Sequence, residues 1–156
     1  MKKKFKGIWF YGLSGSGKTY ISKAISKKIV DSVIVDGDNV RKLISYDLGY
    51  SRKSREIQIK RILGICRIII ESKKIPIASS VYFNRELSLM CKKVGILPIK
   101  IDRKNFNKVI KKHKTYKNKK NVVGKDISYS KFQTMLLVND NTSNFKKKIK
   151  ILLKKI

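Results

Sequence analysis

The chain has 156 residues, enough for one domain (1–156) around one core, and no apolar run approaches the roughly 20 residues of a membrane span. Two cysteines, Cys66 and Cys91, lack CxxC or histidine spacing, which argues against a disulfide framework or metal site and leaves reduced cytoplasmic thiols as the expectation. Thirty-nine Lys and Arg against ten Asp and Glu give a formal net charge of +29, a field that favours polyanionic partners. Lysine is nevertheless spread from Lys2 to Lys155, with no RGG tract, aromatic RNA-binding pattern or zinc knuckle. Compositional drift toward Lys, Ile and Asn is therefore favoured over a nucleic-acid role, and neither nucleic acid nor membrane is an expected partner.

In chain order, the basic head resembles the start of a signal peptide, but the apolar stretch after it is about five residues long, so export is not expected. That stretch predicts a strand over 8–11. It runs directly into Gly12-Leu13-Ser14-Gly15-Ser16-Gly17-Lys18-Thr19, the pattern GxxxxGK[ST]. Glycines there let backbone N–H groups turn inward around a polyphosphate, Lys18 reaches its terminal phosphates, and the Thr19 hydroxyl joins a Mg²⁺ shell. Ile21, Ala24, Ile25 and Ile29 recur at helical spacing and predict a helix over 18–30, whose positive end adds to the anion site. Together these features predict binding of a nucleoside triphosphate with Mg²⁺. Further strands are predicted at 33–36, 75–79, 96–101 and 135–139, and helices at 54–72, 85–94, 106–112 and 145–154. The alternation argues a doubly wound α/β domain with a five-stranded parallel sheet flanked by helices. Residues 114–126, rich in Lys and Asn without a period, read as a mobile basic loop, and His113 among the lysines reads as solvated.

The run Val33-Ile34-Val35-Asp36-Gly37-Asp38-Asn39-Val40-Arg41 sets two carboxylates and an arginine after a buried strand, at the sheet edge where such folds bind ligands. A carboxylate there orients Mg²⁺ or takes a proton from an attacking hydroxyl, and an arginine pairs with an anion. The competing structural reading is an Asp-Gly turn with an Asn helix cap. One strand from a phosphate loop, the functional reading is favoured.

Residues 9–19, then 36–41, then Asp47-Leu48-Gly49-Tyr50-Ser51 with Arg55 and Arg61, together resemble the adenylylsulfate (APS) kinases, strongly over the first half of the chain and weakly beyond. The resemblance implies a P-loop kinase fold, usually homodimeric, that moves the γ-phosphoryl group of ATP with Mg²⁺ to a nucleotide's ribose 3′-hydroxyl. It implies Lys18 and Asp36 as catalytic residues, with Asp36 as the base, and Thr19 with Asp36 at the metal. It also implies acceptor contacts from Asp38, Arg41, Tyr50, Arg55, Gln58, Ser80, Lys108, Val122 and Gly124, with Tyr50 stacking on the base and 114–126 as a lid.

The departures fall on the acceptor side. Ser79-Ser80-Val81-Tyr82-Phe83 stands for the family's Ile-Ser-Pro-Tyr-Arg, Gln58 for an asparagine, and Val122-Val123-Gly124-Lys125-Asp126 for Phe-Thr-Gly-Ile-Asp. Loss of the second aromatic face removes a stacking contact of about 1–3 kcal/mol. Two acceptors stay open: cytidine diphosphoramidate, as in capsule phosphoramidate biosynthesis and favoured here, or APS itself. A polynucleotide-end kinase and a non-catalytic regulator are more distant alternatives.

Overall fold

The first strand decides the architecture, because all its side chains are buried and they alternate between two separate cores. The computed structural model describes residues 5–128, 134–140 and 142–154. Its elements are β1 (Gly7–Tyr11), α1 (Lys18–Ser26), β2 (Ser32–Asp36), α2 (Gly37–Leu43), α3 (Arg52–Glu71) and β3 (Ile75–Ser80). There follow α4 (Arg85–Val94), β4 (Ile96–Arg103), α5 (Phe106–Lys112), α6 (Lys114–Asn118), β5 (Met135–Asn139) and α7 (Ser143–Leu153). The strands form one parallel sheet in the order β2-β3-β1-β4-β5. This is a doubly wound α/β fold with helices on both faces of the sheet, as the strand-helix alternation predicts.

Trp9 and Tyr11 face α3 and α4, packing with Ile59, Ile62, Cys66, Phe83, Leu87 and Cys91. Ile8 and Phe10 face α1 and α7, packing with Ile21, Ile25, Phe145, Ile149 and Leu152. A period of two on a strand covered on both faces leaves no polar position, hence the unbroken apolar run. Tyr11 stacks on Phe83 with ring centroids 4.2 Å apart, and the Trp9 indole donates to Ser80 Oγ at 2.9 Å. Each aromatic thus fills core volume while satisfying or shielding polar atoms near the sheet's carboxyl edge.

Three segments differ from the sequence reading. α1 stops at Ser26 because the chain reverses through Asp31 (φ 60°) to enter β2, a corner closed by Ser32 Oγ on Ser26 O at 3.2 Å. Residues 37–43, where no element is predicted and the competing reading is an Asp-Gly turn with an Asn cap, form α2 with Asp36 as its cap. Residues 114–118, expected to be loop, form α6; Tyr116 within it and Val122 and Val123 beyond it are buried. No period announces that segment because its anchors are few and unevenly spaced. Among the described residues no helix is long and apolar enough to cross a membrane.

Candidate active site

The phosphate loop leaves β1 at the sheet's centre and enters α1 through Gly17, which has φ 105° and no side chain to cap the helix. A Cβ there would lie 2.5 Å from Asn139 Nδ2, so only glycine permits both the left-handed backbone and this close approach. The first-turn N–H groups of α1 consequently face the loop. Lys18 Nζ donates to Gly12 O at 2.8 Å and Leu13 O at 3.0 Å. Burial lowers the Lys18 ammonium from 10.5 to about 8, with Asp38 and Asp36 opposing the shift. Such a partly desolvated cation attracts phosphate oxygens far more strongly than a surface lysine.

Asp36 ends β2 one strand from β1. Its Oδ1 accepts from the N–H groups of Asp38 (3.0 Å) and Asn39 (3.4 Å), and its Oδ2 from Ser79 Oγ (2.9 Å). The helix end orients the carboxylate, and Asp36, while capping α2, also lines the cleft. Gly37 makes the arrangement possible, since a Cβ there would sit 2.7 Å from Ser79 O. Register places Asp36 opposite Ser79, a partner the sequence reading does not single out. Thr19, Asp36 and Asp38 supply only hard oxygen donors at this edge. No trio of His, Cys, Asp or Glu side chains among the described residues gathers as a self-sufficient metal site. That sparse oxygen set fits Mg²⁺, which keeps waters and borrows phosphate oxygens.

On the acceptor side, Tyr50 rides on a loop fixed from two directions. Arg61 pairs with both oxygens of Asp47 at 2.5 and 2.8 Å, and Arg41 Nη1 donates to Leu48 O (3.2 Å) and Gly49 O (2.6 Å). Arg55 Nε donates to Tyr50 O at 3.0 Å and its Nη2 to Asn121 O at 2.8 Å. The guanidinium carbons of Arg41 and Arg55 lie 4.7 and 5.5 Å from the Tyr50 ring centroid. Gln58 is buried; its Nε2 donates to Gly37 O at 3.0 Å, and its Oε1 has no partner. Ser80 is also buried, and its single O–H is spent on Tyr82 O at 2.8 Å, so it can offer a ligand only an acceptor lone pair.

These groups line one cleft of about 880 Å³, at the upper end of the range for small-molecule sites. Around it stand Ser14, Gly15, Gly17, Lys18, Thr19, Asp36, Asp38, Arg41, Tyr50, Arg55, Gln58, Ser80 and Val122. Gly12, Leu13 and Ser16 shape the loop from behind. Lys108 is exposed on α5 and does not line the cleft, and Gly124 packs against the Leu13 side chain instead. His113, expected in solvent, lines the cleft beside Gly15 and accepts from Thr115 N–H through Nδ1 at 3.3 Å. The sequence reading also passes over Arg103, Tyr116 and Asn139, which donate to loop carbonyls. The carboxyl-edge rule was the available signal for two of them, since Arg103 and Asn139 each end a strand.

A phosphate loop, a desolvated lysine and a strand-end aspartate on a central parallel sheet define the P-loop kinase class. The family model for adenylylsulphate kinase matches residues 4–116. The chain belongs to the adenylylsulphate kinase family. It is 34% identical over 98 residues to an adenylyl-sulfate kinase of Bacteroides fragilis, covering 60% of this chain and 48% of that protein. It is 31% identical over 110 residues to one from Prochlorococcus marinus, covering 68% and 47%. The chain thus spans about half the length of the curated relatives it matches. Its fold is similar to that of the Mycobacterium tuberculosis APS kinase CysC solved with AMPPNP and APS, at a TM-score of 0.81 and 20% identity over 97% of each chain.

Proposed function

We propose that this chain is an ATP-dependent kinase that phosphorylates the ribose 3′-hydroxyl of adenylylsulfate. The observation that carries the reading is the Asp36 carboxylate, held by three donors and sharing one cleft with the phosphate loop and Lys18. The family relationship supports APS over the cytidine acceptor. In this reading the loop N–H groups and Lys18 hold the triphosphate, and Asp36 accepts the hydrogen bond of the 3′-hydroxyl. That oxygen bonds to the γ-phosphorus, the bond to the β-γ bridging oxygen breaks, ADP leaves, and the hydroxyl proton passes to Asp36. Thr19 and Asp36 would hold Mg²⁺, which neutralises phosphate charge. Arg41 and Arg55 face the acceptor's anionic group, Tyr50 stacks on its base, and the unpartnered Gln58 Oε1 takes a donor from it. Closure of 114–126 over the cleft, and assembly as a homodimer, belong to the same proposal.

The test is phosphoryl transfer from ATP with Mg²⁺ to APS, cytidine diphosphoramidate and plain nucleotides, with the product mapped on the ribose. We expect APS to be phosphorylated at the 3′ position. Asp36→Asn, which keeps one capping oxygen, should lower kcat by about 10²–10⁴-fold in a protein that still folds cooperatively. A loss below about tenfold would remove Asp36 from the chemistry.

One observation favours the cytidine acceptor as a second reading. The wall beside Tyr50 includes the aliphatic Val122 rather than a second ring, and a pyrimidine leaves less surface uncovered than a purine. Val122→Phe should then raise the APS-to-cytidine ratio of kcat/KM by up to about 1–3 kcal/mol. A wild-type preference for APS of about a hundredfold or more rules this acceptor out.

A further inference from the structure

The phosphate loop is held from outside as well as folded from within. Each of its five successive carbonyls, from Gly12 to Ser16, accepts a hydrogen bond from a side chain. Lys18 takes the first two, Tyr116 Oη donates to Ser14 O at 3.1 Å, Arg103 Nη1 to Gly15 O at 2.8 Å, and Asn139 Nδ2 to Ser16 O at 2.9 Å. The last three donors come from α6, the end of β4 and the end of β5, far from the loop in sequence. Because the C=O and N–H of a trans peptide point in opposite directions, fixing a carbonyl fixes the aim of the following N–H. Tyr116 therefore sets the N–H of Gly15, and Asn139 that of Gly17. Arg103 holds the peptide whose N–H, on Ser16, closes the loop's turn onto Leu13 O at 3.1 Å.

Lys18 differs from the other three. To reach a phosphate it must leave Gly12 O and Leu13 O, whereas Tyr116, Arg103 and Asn139 do not line the cleft. We infer that Tyr116, Arg103 and Asn139 are positioning residues, an outer clamp that keeps the loop's N–H groups aimed inward while Lys18 turns from the carbonyls to the triphosphate. The inference rests on the reading that this loop binds a nucleoside triphosphate. The clamp acts on the phosphate cradle rather than on the adenine, and this difference can be measured.

The experiment is calorimetric titration of the full chain with MgATP and, separately, with inorganic tripolyphosphate, alongside thermal melting without ligand. The variants are Tyr116→Phe, Arg103→Met, Arg103→Lys and Asn139→Asp. Tyr116→Phe deletes one oxygen atom and should weaken both ligands about 3- to 10-fold. Arg103→Met should weaken them about tenfold or more, with Arg103→Lys, which keeps a charged donor, recovering part of the loss. Asn139→Asp, which replaces the donor by a carboxylate, should weaken both as well. Should the buried Asn139 variant not fold, Tyr116→Phe and the Arg103 pair decide. Folded variants that bind MgATP within about twofold of wild type would overturn the clamp, as would loss of MgATP affinity with tripolyphosphate binding intact. Failure of the wild-type protein to bind MgATP would instead overturn the proposed function.

Discussion

Among the many lysines of this chain, Lys18 is set apart by burial rather than by charge. Its ammonium, lowered to about 8, is largely protonated at neutral pH and largely neutral about one unit above 8. A triphosphate beside it favours the charged form, so binding above about 8 must draw a proton from solution. We predict negligible proton uptake on MgATP binding near pH 6.5 and uptake approaching one proton near pH 9, measured by calorimetry in buffers of different ionisation enthalpy. Affinity should be flat below about 8 and fall as pH rises past it. Absence of linked uptake at pH 9 would mean that Lys18 does not meet the phosphates. The opposite sign applies to folding: without ligand the desolvated ammonium costs stability below about 8, and the cost fades as pH rises from there toward the unfolded value of 10.5.

At the level of elements, residues 114–126 join the two halves of the cleft. Tyr116 holds the phosphate loop, Asn121 O takes the Arg55 guanidinium, and Gly124 lies on Leu13. If this segment closes over both nucleotides, its amides should gain hydrogen-exchange protection with MgADP and APS together, beyond that with either alone; unchanged protection argues against a lid. The strands, the loop and Asp36 were legible in the sequence because strong local patterns generate them: continuous apolar runs, glycines at fixed offsets, and a carboxylate directly after a strand. α2 was hidden by its shortness and its Asp-Gly start, which also reads as a turn. Ser79, Arg103 and Asn139 were hidden because each bond depends on strand register or on contacts 43 to 123 residues apart in sequence. Nothing local in the sequence reveals that the Ser80 proton goes to Tyr82 O.

On the scale of the whole molecule, the chain carries a net charge of +29, and the substrates proposed for its cleft are anionic. Such a field raises encounter rates more than it changes bound-state energies. We expect kcat/KM for nucleotides to fall several-fold between about 0.05 and 0.3 M salt while kcat stays nearly constant. A duplex nucleic acid that competes in this assay, and whose effect collapses about 10³-fold or more over a similar range, would revive a nucleic-acid role. The sheet order has a separate consequence for how the chain comes into being. β1 pairs with β3 and β4, not with β2, so Ile8 finds its neighbours at Ile77 and Leu97. A chain emerging from the ribosome therefore carries β1 unpaired until β3 at Ile75–Ser80 has been made, with five consecutive buried residues waiting for partners. During that interval the nascent segment needs shelter from aggregation, and the slow step of folding should be the late insertion of an early strand.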